Sequence, residues 1–252
     1  MTGLLVLTDT VDGVGVISFN RPQRHNAFDD ALGREWRAAV ATALADPAVR
    51  CILLCGEGPS FCSGRDTAQL GQRADGESDV VFVRNAQQVR LALLDTSKPV
   101  VAAVQGHALG GGFETALSAD MRIAADDASF CFPEVRFGLV ADTGGTQLLT
   151  PLIGPARAKY LLMTGERVDA AQALTWGIVD WVVPVAELRT AALDLCRRLA
   201  ASPPEAVAFA KQLVDQAWAG TIRNGMNQEV VAQAALFASD DYLRIKAERA
   251  TP

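Results

Sequence analysis

The residues best suited to chemistry lie at positions 105–120, QGHALGGGFETALSAD. The run Gly110 to Gly112 costs conformational entropy on folding, which indicates that bare backbone is needed there. If a helix begins at this turn, its unpaired amides and the positive end of its dipole favour an oxygen anion. Glu114 follows Gly111 by three residues, so helical spacing puts its carboxylate on the side of the Gly111 amide. A carboxylate beside such an amide suits proton transfer next to a carbonyl.

Two interpretations of this turn remain open from the segment alone. The same glycines would also suit a turn packed closely against a sheet, with Glu114 as a solvated helix residue.

Two further acidic residues lie at positions 133–146, PEVRFGLVADTGGT. Glu134 stands in an apolar stretch, and burial there would raise its pKa and suit it to proton exchange near neutrality. Asp142 comes just before Thr143-Gly144-Gly145, where another helix is predicted to begin. A helix cap therefore competes with a role in a pocket for Asp142.

A mixed α/β scaffold is predicted to position these residues. The β-branched run Val100–Val104, bounded by Pro99 and Gly106, predicts a buried strand that leads into the glycine turn. A hairpin around Asp12-Gly13 opens the chain, and a strand–strand–helix or strand–loop–helix unit then recurs. The other early strands and helices are predicted at residues 4–8, 14–20, 29–45, 51–55 and 78–95.

The C-terminal part changes character, because no strand is predicted after Val183. Helices are predicted at about residues 203–218 and 221–238, each consistent with helical periodicity. We therefore predict an α/β core over residues 1–195 and a C-terminal helical region over residues 196–252. The last helix carries an apolar stripe that needs cover from the core or from another subunit. This stripe consists of Met226, Val230, Ala234 and Phe237.

Composition excludes several classes of function. The 252 residues are 50% hydrophobic, carry a net charge of −6 and contain no basic run, which argues against nucleic-acid binding and against an anionic membrane surface. No apolar segment reaches the length of a membrane span and the start lacks signal-peptide features, so a cytoplasmic protein is expected. Five cysteines without a CxxC pair, and only His25 and His107, give no zinc motif. Structural roles are favoured for both histidines.

Several motifs in series resemble the crotonase family, the enoyl-CoA hydratases and isomerases. Together they span nearly the whole chain, and they are specific as a set. The resemblance implies a spiral of β-β-α units whose C-terminal helices pack a homotrimer, often doubled to a hexamer. In chain order the motifs are NRPQRHNAF, SFCSGRD, GHALGGGFE, PEVRFGL, TGGTQLL and TGERVDAAQALTWGIVDWVVP.

The resemblance also implies a site for an acyl-CoA thioester. Its carbonyl is expected between the backbone amides of Arg65 and Gly111, which form an oxyanion hole. The two hydratase glutamates fall on Glu114 and Glu134, and they would hold one water between them. No cofactor or metal is expected, since coenzyme A is part of the substrate. Contacts to CoA are implied at Arg24, Ala27, Ser63 and Asp66.

One departure from the hydratase pattern bears on the reaction. Typical hydratases have Pro-Gly-Ala where this chain has Ala141-Asp142-Thr143. An aspartate there resembles the dienoyl-CoA isomerase and ring-opening isomerase branches, in which it shuttles a proton. We expect hydration of a 2-enoyl-CoA, with isomerisation by Asp142 and Glu134 as the alternative. A non-catalytic acyl-CoA-binding protein is less favoured, because it would be expected to lack one or both glutamates.

Overall fold

The chain opens with the predicted hairpin, formed by β1 (Val6–Val11) and β2 (Val14–Phe19). Asp12 and Gly13 both adopt positive φ at its turn, a conformation that an Asp-Gly pair tolerates well. The computed structural model describes residues 3–70, 72, 77–218 and 220–250.

In the described part of the chain, six strands form the main sheet and three strands form a second, smaller sheet. The remaining strands are β3 (Cys51–Gly56), β4 (Val100–Val104), β5 (His107–Leu109), β6 (Met121–Ala125), β7 (Ser129–Cys131), β8 (Val168–Asp169) and β9 (Trp181–Val183). The main sheet has the order β1-β2-β3-β4-β6-β9 and is parallel beyond the hairpin. The small sheet has the order β5-β7-β8.

Helices follow most strands, and the first two begin one residue after the predicted start and end at the predicted residue. Asp29 and Ser78 cap them by accepting hydrogen bonds from the amides of Leu32 and Val81. The helices are α1 (Asp30–Ala45), α2 (Asp79–Asp95), α3 (Gly111–Leu117), α4 (Gly145–Thr164), α5 (Ala170–Trp176), α6 (Leu188–Ala201), α7 (Pro204–Gln216), α8 (Ile222–Phe237) and α9 (Asp240–Ala250).

Side chains of the central strands alternate between two buried layers, as expected for a parallel sheet covered on both faces. Leu53 and Val101 pack with residues of α6 on one face. Leu54 and Ala102 pack with residues of α1 and α3 on the other face. Because α6 belongs to the core, the predicted boundary at residue 195 falls inside a core helix. The helices beyond it are α7, α8 and α9.

The C-terminal helices leave much apolar surface uncovered. All four residues of the apolar stripe on α8 are exposed, and Ala232 is the one buried residue of that helix. Ile222 and Trp218 nearby are also exposed. No helix in the described part of the chain has both the length and the apolar character needed to cross a bilayer.

We expect a homotrimer or homohexamer in solution, because an apolar face of this extent is covered by another subunit in most soluble proteins. Static light scattering at micromolar concentration should give three or six times the chain mass of 26.7 kDa. A mass equal to that of one chain would contradict the expectation.

Candidate active site

The glycine turn lies between β5 and α3, and at least two of its glycines are required by the geometry. Gly110 has φ 50° and ψ −122°, a backbone conformation that is strongly unfavourable for any L-residue with a side chain. A Cβ atom at Gly112 would overlap with the carbonyl oxygen of Cys62. Close packing therefore explains Gly112. It does not explain the acidic residue that follows.

Glu114 is buried, with 1% of its surface exposed, so the alternative of a solvated helix residue is wrong. Its Oε1 accepts hydrogen bonds from the amides of Thr143 (2.8 Å) and Gly145 (2.9 Å). Its Oε2 accepts one from the Thr143 hydroxyl. These donors belong to the start of α4, where unpaired amides and the helix dipole favour a carboxylate. The carboxylate is thereby held in one orientation beside the turn.

Glu134 approaches the turn from the other side. It lies on a short 3₁₀ turn, Pro133–Phe137, and a Cβ atom at Gly110 would overlap with its Oε1. Its Oε2 is buried and has no hydrogen-bond partner among the described residues. Burial, with smaller contributions from the charges of Glu114 and Asp142, raises the pKa of Glu134 to about 7. This direction agrees with the shift expected from the apolar sequence around Glu134.

Asp142 lies at the edge of the same group of carboxylates. The N-cap residue of α4 is Gly144, which has no side chain to cap the helix. The predicted alternative, in which Asp142 is the cap residue, is therefore not observed. The Asp142 carbonyl accepts a hydrogen bond from Gln87 Nε2 at 2.6 Å, which ties this segment to α2. Its side chain is exposed. The charges of Asp142 and Glu114 both act on Glu134, so the structure brings these two predicted carboxylates within electrostatic range of Glu134.

The two predicted oxyanion donors lie on adjacent segments. A Cβ atom at Gly64, the residue before Arg65, would stand 3.5 Å from the amide nitrogen of Gly111. Within the described ranges, neither the Arg65 amide nor the Gly111 amide donates a hydrogen bond. The Arg65 side chain points elsewhere, since its guanidinium binds Asp30 at 2.7 Å and lies over the ring of Phe82. Both amides are therefore available to a ligand oxygen.

The residues predicted to contact CoA lie on two segments that hydrogen-bond to each other, and Arg24 ends the short 3₁₀ turn Pro22–Arg24 of the first segment. Ser63 donates its amide proton to the His25 carbonyl and its hydroxyl proton to the Arg24 carbonyl. Ala27 is buried, whereas the Arg24 side chain is exposed. Asp66 accepts a hydrogen bond from Arg21 at 2.7 Å, and this bond holds the pKa of Asp66 below its usual range. The role of these four predicted residues toward CoA stays a prediction.

Two residues of the site were not predicted. Thr143 fixes Glu114, and Arg90 lies buried behind Gly111 with its Nη2 2.7 Å from the Gly111 carbonyl oxygen. Thr143 follows Asp142 in the place where the sequence departs from the hydratase pattern. A hydroxyl group at that departure was the one feature of the sequence that could have indicated a partner for Glu114. No feature of the sequence indicated Arg90, because a charged residue on an amphipathic helix is usually solvated.

Both histidines make hydrogen bonds away from the glutamates. His25 pairs with Ser60 at 2.9 Å and His107 with Ser129 at 3.1 Å, both through Nδ1. Burial, reinforced by the charge of Arg167, lowers the pKa of His107. Over the described ranges there is no group of three or more side chains arranged to hold a metal ion.

Comparison with known proteins places this chain in a family. The family model described as "Enoyl-CoA hydratase/isomerase" matches residues 9–247. A carnitinyl-CoA dehydratase of Proteus mirabilis is 40% identical over 199 residues, which cover 78% of this chain and 75% of the relative. A probable enoyl-CoA hydratase of Mycobacterium bovis is 35% identical over 243 residues, 96% of this chain and 93% of the relative.

A solved structure gives the same result for the fold. The enoyl-CoA hydratase of Bacillus anthracis superimposes with a TM-score of 0.90 at 31% identity, over 98% of this chain and 96% of the other. The predicted crotonase-like architecture with a C-terminal helical region is confirmed.

Proposed function

The chain belongs to the enoyl-CoA hydratase/isomerase family, and from this membership we propose that it adds water across the double bond of a 2-enoyl-CoA. The names of the relatives support this reaction. One is a probable enoyl-CoA hydratase, and another is a carnitinyl-CoA dehydratase, which performs water loss, the reverse of water addition.

The observation that carries the proposal is the pair of unlike glutamates beside the glycine turn. Glu114 is held by three donors and can accept a proton. Glu134 has a pKa of about 7, and its Oε2 has no partner in the described part of the chain. Two carboxyl groups whose environments differ in this way suit a base and an acid working together.

The reaction follows from these roles. The thioester oxygen accepts hydrogen bonds from the amides of Arg65 and Gly111, which stabilise the enolate-like state. Glu114 takes a proton from the water molecule while the oxygen of that water adds to C3. Glu134 gives a proton to C2. One molecule of water is added in total, and proton exchange between the glutamates restores the starting state.

Binding of the CoA part is proposed along the paired segments that carry Arg24 and Ser63. Arg24 is exposed and cationic, which suits a phosphate group. Calorimetry with acetoacetyl-CoA tests this step, and we expect saturable binding that Arg24→Met weakens. Absence of heat at millimolar ligand would contradict acyl-CoA binding.

Double-bond migration is the second candidate reaction. The observation that favours it is the proximity of Asp142 to Glu134, because the charge of Asp142 acts on the pKa of Glu134. In that reaction Asp142 and Glu134 would exchange protons with the substrate carbons, and no water would be added.

The raised pKa of Glu134 makes the activity sensitive to pH. Glu134 carries its proton below about pH 7 and loses it above. Since the proposed step needs the protonated form, kcat/KM should fall about tenfold per pH unit above the pKa. A pH series on the wild type, with Glu134→Gln as the comparison, measures this limb. The account fails if the variant keeps the same limb in its residual activity.

The substrate test compares crotonyl-CoA with a 3-enoyl-CoA, followed by the absorbance of the conjugated thioester. Hydration removes the conjugated absorbance of crotonyl-CoA, whereas migration creates it from the 3-enoyl substrate. We expect the first change to dominate. Activity with the 3-enoyl substrate alone would favour the isomerase.

A further inference from the structure

A buried arginine lies directly behind the glycine turn. Arg90 projects from α2, and 5% of its surface is exposed. Among the residues that the structure describes, no carboxylate forms an ion pair with it, and its Nε has no partner. Burial of a guanidinium is costly and lowers the pKa of Arg90, and the nearby charge of Glu114 offsets part of this shift.

Nη1 of Arg90 donates to a carbonyl of its own helix at 3.0 Å, whereas Nη2 is directed at the turn. Nη2 donates to the Gly111 carbonyl at 2.7 Å and to the Thr115 hydroxyl at 2.9 Å. Thr115 in turn donates to the same carbonyl at 2.7 Å. The guanidinium carbon lies 5.1 Å from the ring of Trp36 and 5.8 Å from that of Phe28, a geometry that favours cation–π attraction. Gly111 therefore has its carbonyl fixed by two donors.

We propose that Arg90 is a positioning residue for the oxyanion hole, an inference that rests on the proposed function. By fixing the Gly111 carbonyl, Arg90 sets the backbone conformation of Gly111 and so the direction of its amide. Its positive charge is buried and contacts the carbonyl of Gly111, the residue whose amide is predicted to bind the thioester oxygen. Such a charge stabilises the enolate more than the neutral ground state.

The expected effect falls on the transition state and on enolate-like ligands. Arg90→Met should lower kcat by roughly 10- to 100-fold and leave KM within about threefold. Arg90→Lys keeps the charge but loses the planar pair of donors, and it should recover part of the loss. A role limited to packing would predict that Met, of similar length, behaves like the wild type.

The decisive readout is the ionisation of bound acetoacetyl-CoA, whose enolate absorbs in the near ultraviolet. The pH at which the bound ligand forms its enolate should rise by about one to two units in Arg90→Met and by less in Arg90→Lys. Arg157→Met is the matched control, because Arg157 also lies over a tryptophan, Trp176, but is exposed on α4. This control should ionise the ligand at the wild-type pH.

The outcomes separate this inference from the proposed function. If the wild type does not bind acetoacetyl-CoA, acyl-CoA binding fails and the role of Arg90 fails with it. If the wild type binds the ligand and every variant forms the enolate at the same pH, only the role of Arg90 is overturned. Thermal unfolding identifies a misfolded Arg90→Met, and in that case Arg90→Lys decides. Wild-type kcat and enolate ionisation in Arg90→Lys would then overturn the inference.

Discussion

Replacement of Glu134 by glutamine is expected to lower kcat for crotonyl-CoA by about 10²- to 10⁴-fold, the range of a lost general acid. Glutamine has the same shape but no proton to give to C2. Glu114→Gln should cause a similar loss, because the water then has no base. Steady-state kinetics on crotonyl-CoA measure both effects.

A matched control and a third variant make this result specific. Glu166→Gln changes an exposed glutamate that pairs with Arg136 at 3.3 Å, and it should leave kcat within about twofold. Asp142→Asn should be milder than either active-site variant if hydration dominates. If Asp142→Asn is the most damaging change and crotonyl-CoA is a poor substrate, double-bond migration is the reaction. Wild-type activity in all three site variants would refute a carboxylate mechanism of either kind.

Replacement of Gly110 by alanine is expected to have the second large effect. The new Cβ would overlap with Glu134 Oε1 and would require a φ of 50° with a ψ of −122°. The backbone strain alone should lower the free energy of unfolding by about 1–3 kcal/mol. Displacement of Glu134 should lower kcat at least about 10²-fold, as a misplaced catalytic group does. Thermal unfolding and steady-state kinetics measure the two losses separately.

Gly138→Ala separates strain from displacement. Gly138 also has a positive φ of 70°, but its Cβ would meet nothing within 4 Å. This variant should lose about 1 kcal/mol of stability and keep wild-type kcat. Equal kinetics for Gly110→Ala and Gly138→Ala would show that the contact between Gly110 and Glu134 does not matter for turnover.

The local pattern was sufficient for the elements that carry the site. The β-branched run Val100–Val104 and the apolar periodicity of residues 29–45 and 78–95 gave one strand and two helices with nearly correct bounds. The strands β5 and β8 were not predicted, because two or three residues show no periodicity. Helix α9 was also not predicted, since its sequence is polar and charged on most faces.

The site itself could be predicted only in part, for a physical reason. The glycines and Glu114 are close in sequence, so helical spacing was enough to relate them. The partners that hold Glu114 lie 29 to 31 residues away, and only the packing of α4 brings them to it. Arg90 reaches Gly111 across 21 residues from a helix whose pattern predicts a solvated charge. Contacts of this range depend on tertiary structure and leave no local pattern.

The most direct test of the central claim is the fate of the oxygen of water. Crotonyl-CoA is incubated with the wild type in ¹⁸O-labelled water, and the thioester product is analysed by mass spectrometry. Water addition predicts a 3-hydroxyacyl-CoA that carries one labelled oxygen, and Glu134→Gln should form it at least about 10²-fold more slowly. If a 3-enoyl-CoA is converted to its 2-enoyl isomer while no labelled hydroxyacyl product forms, the protein is not a hydratase.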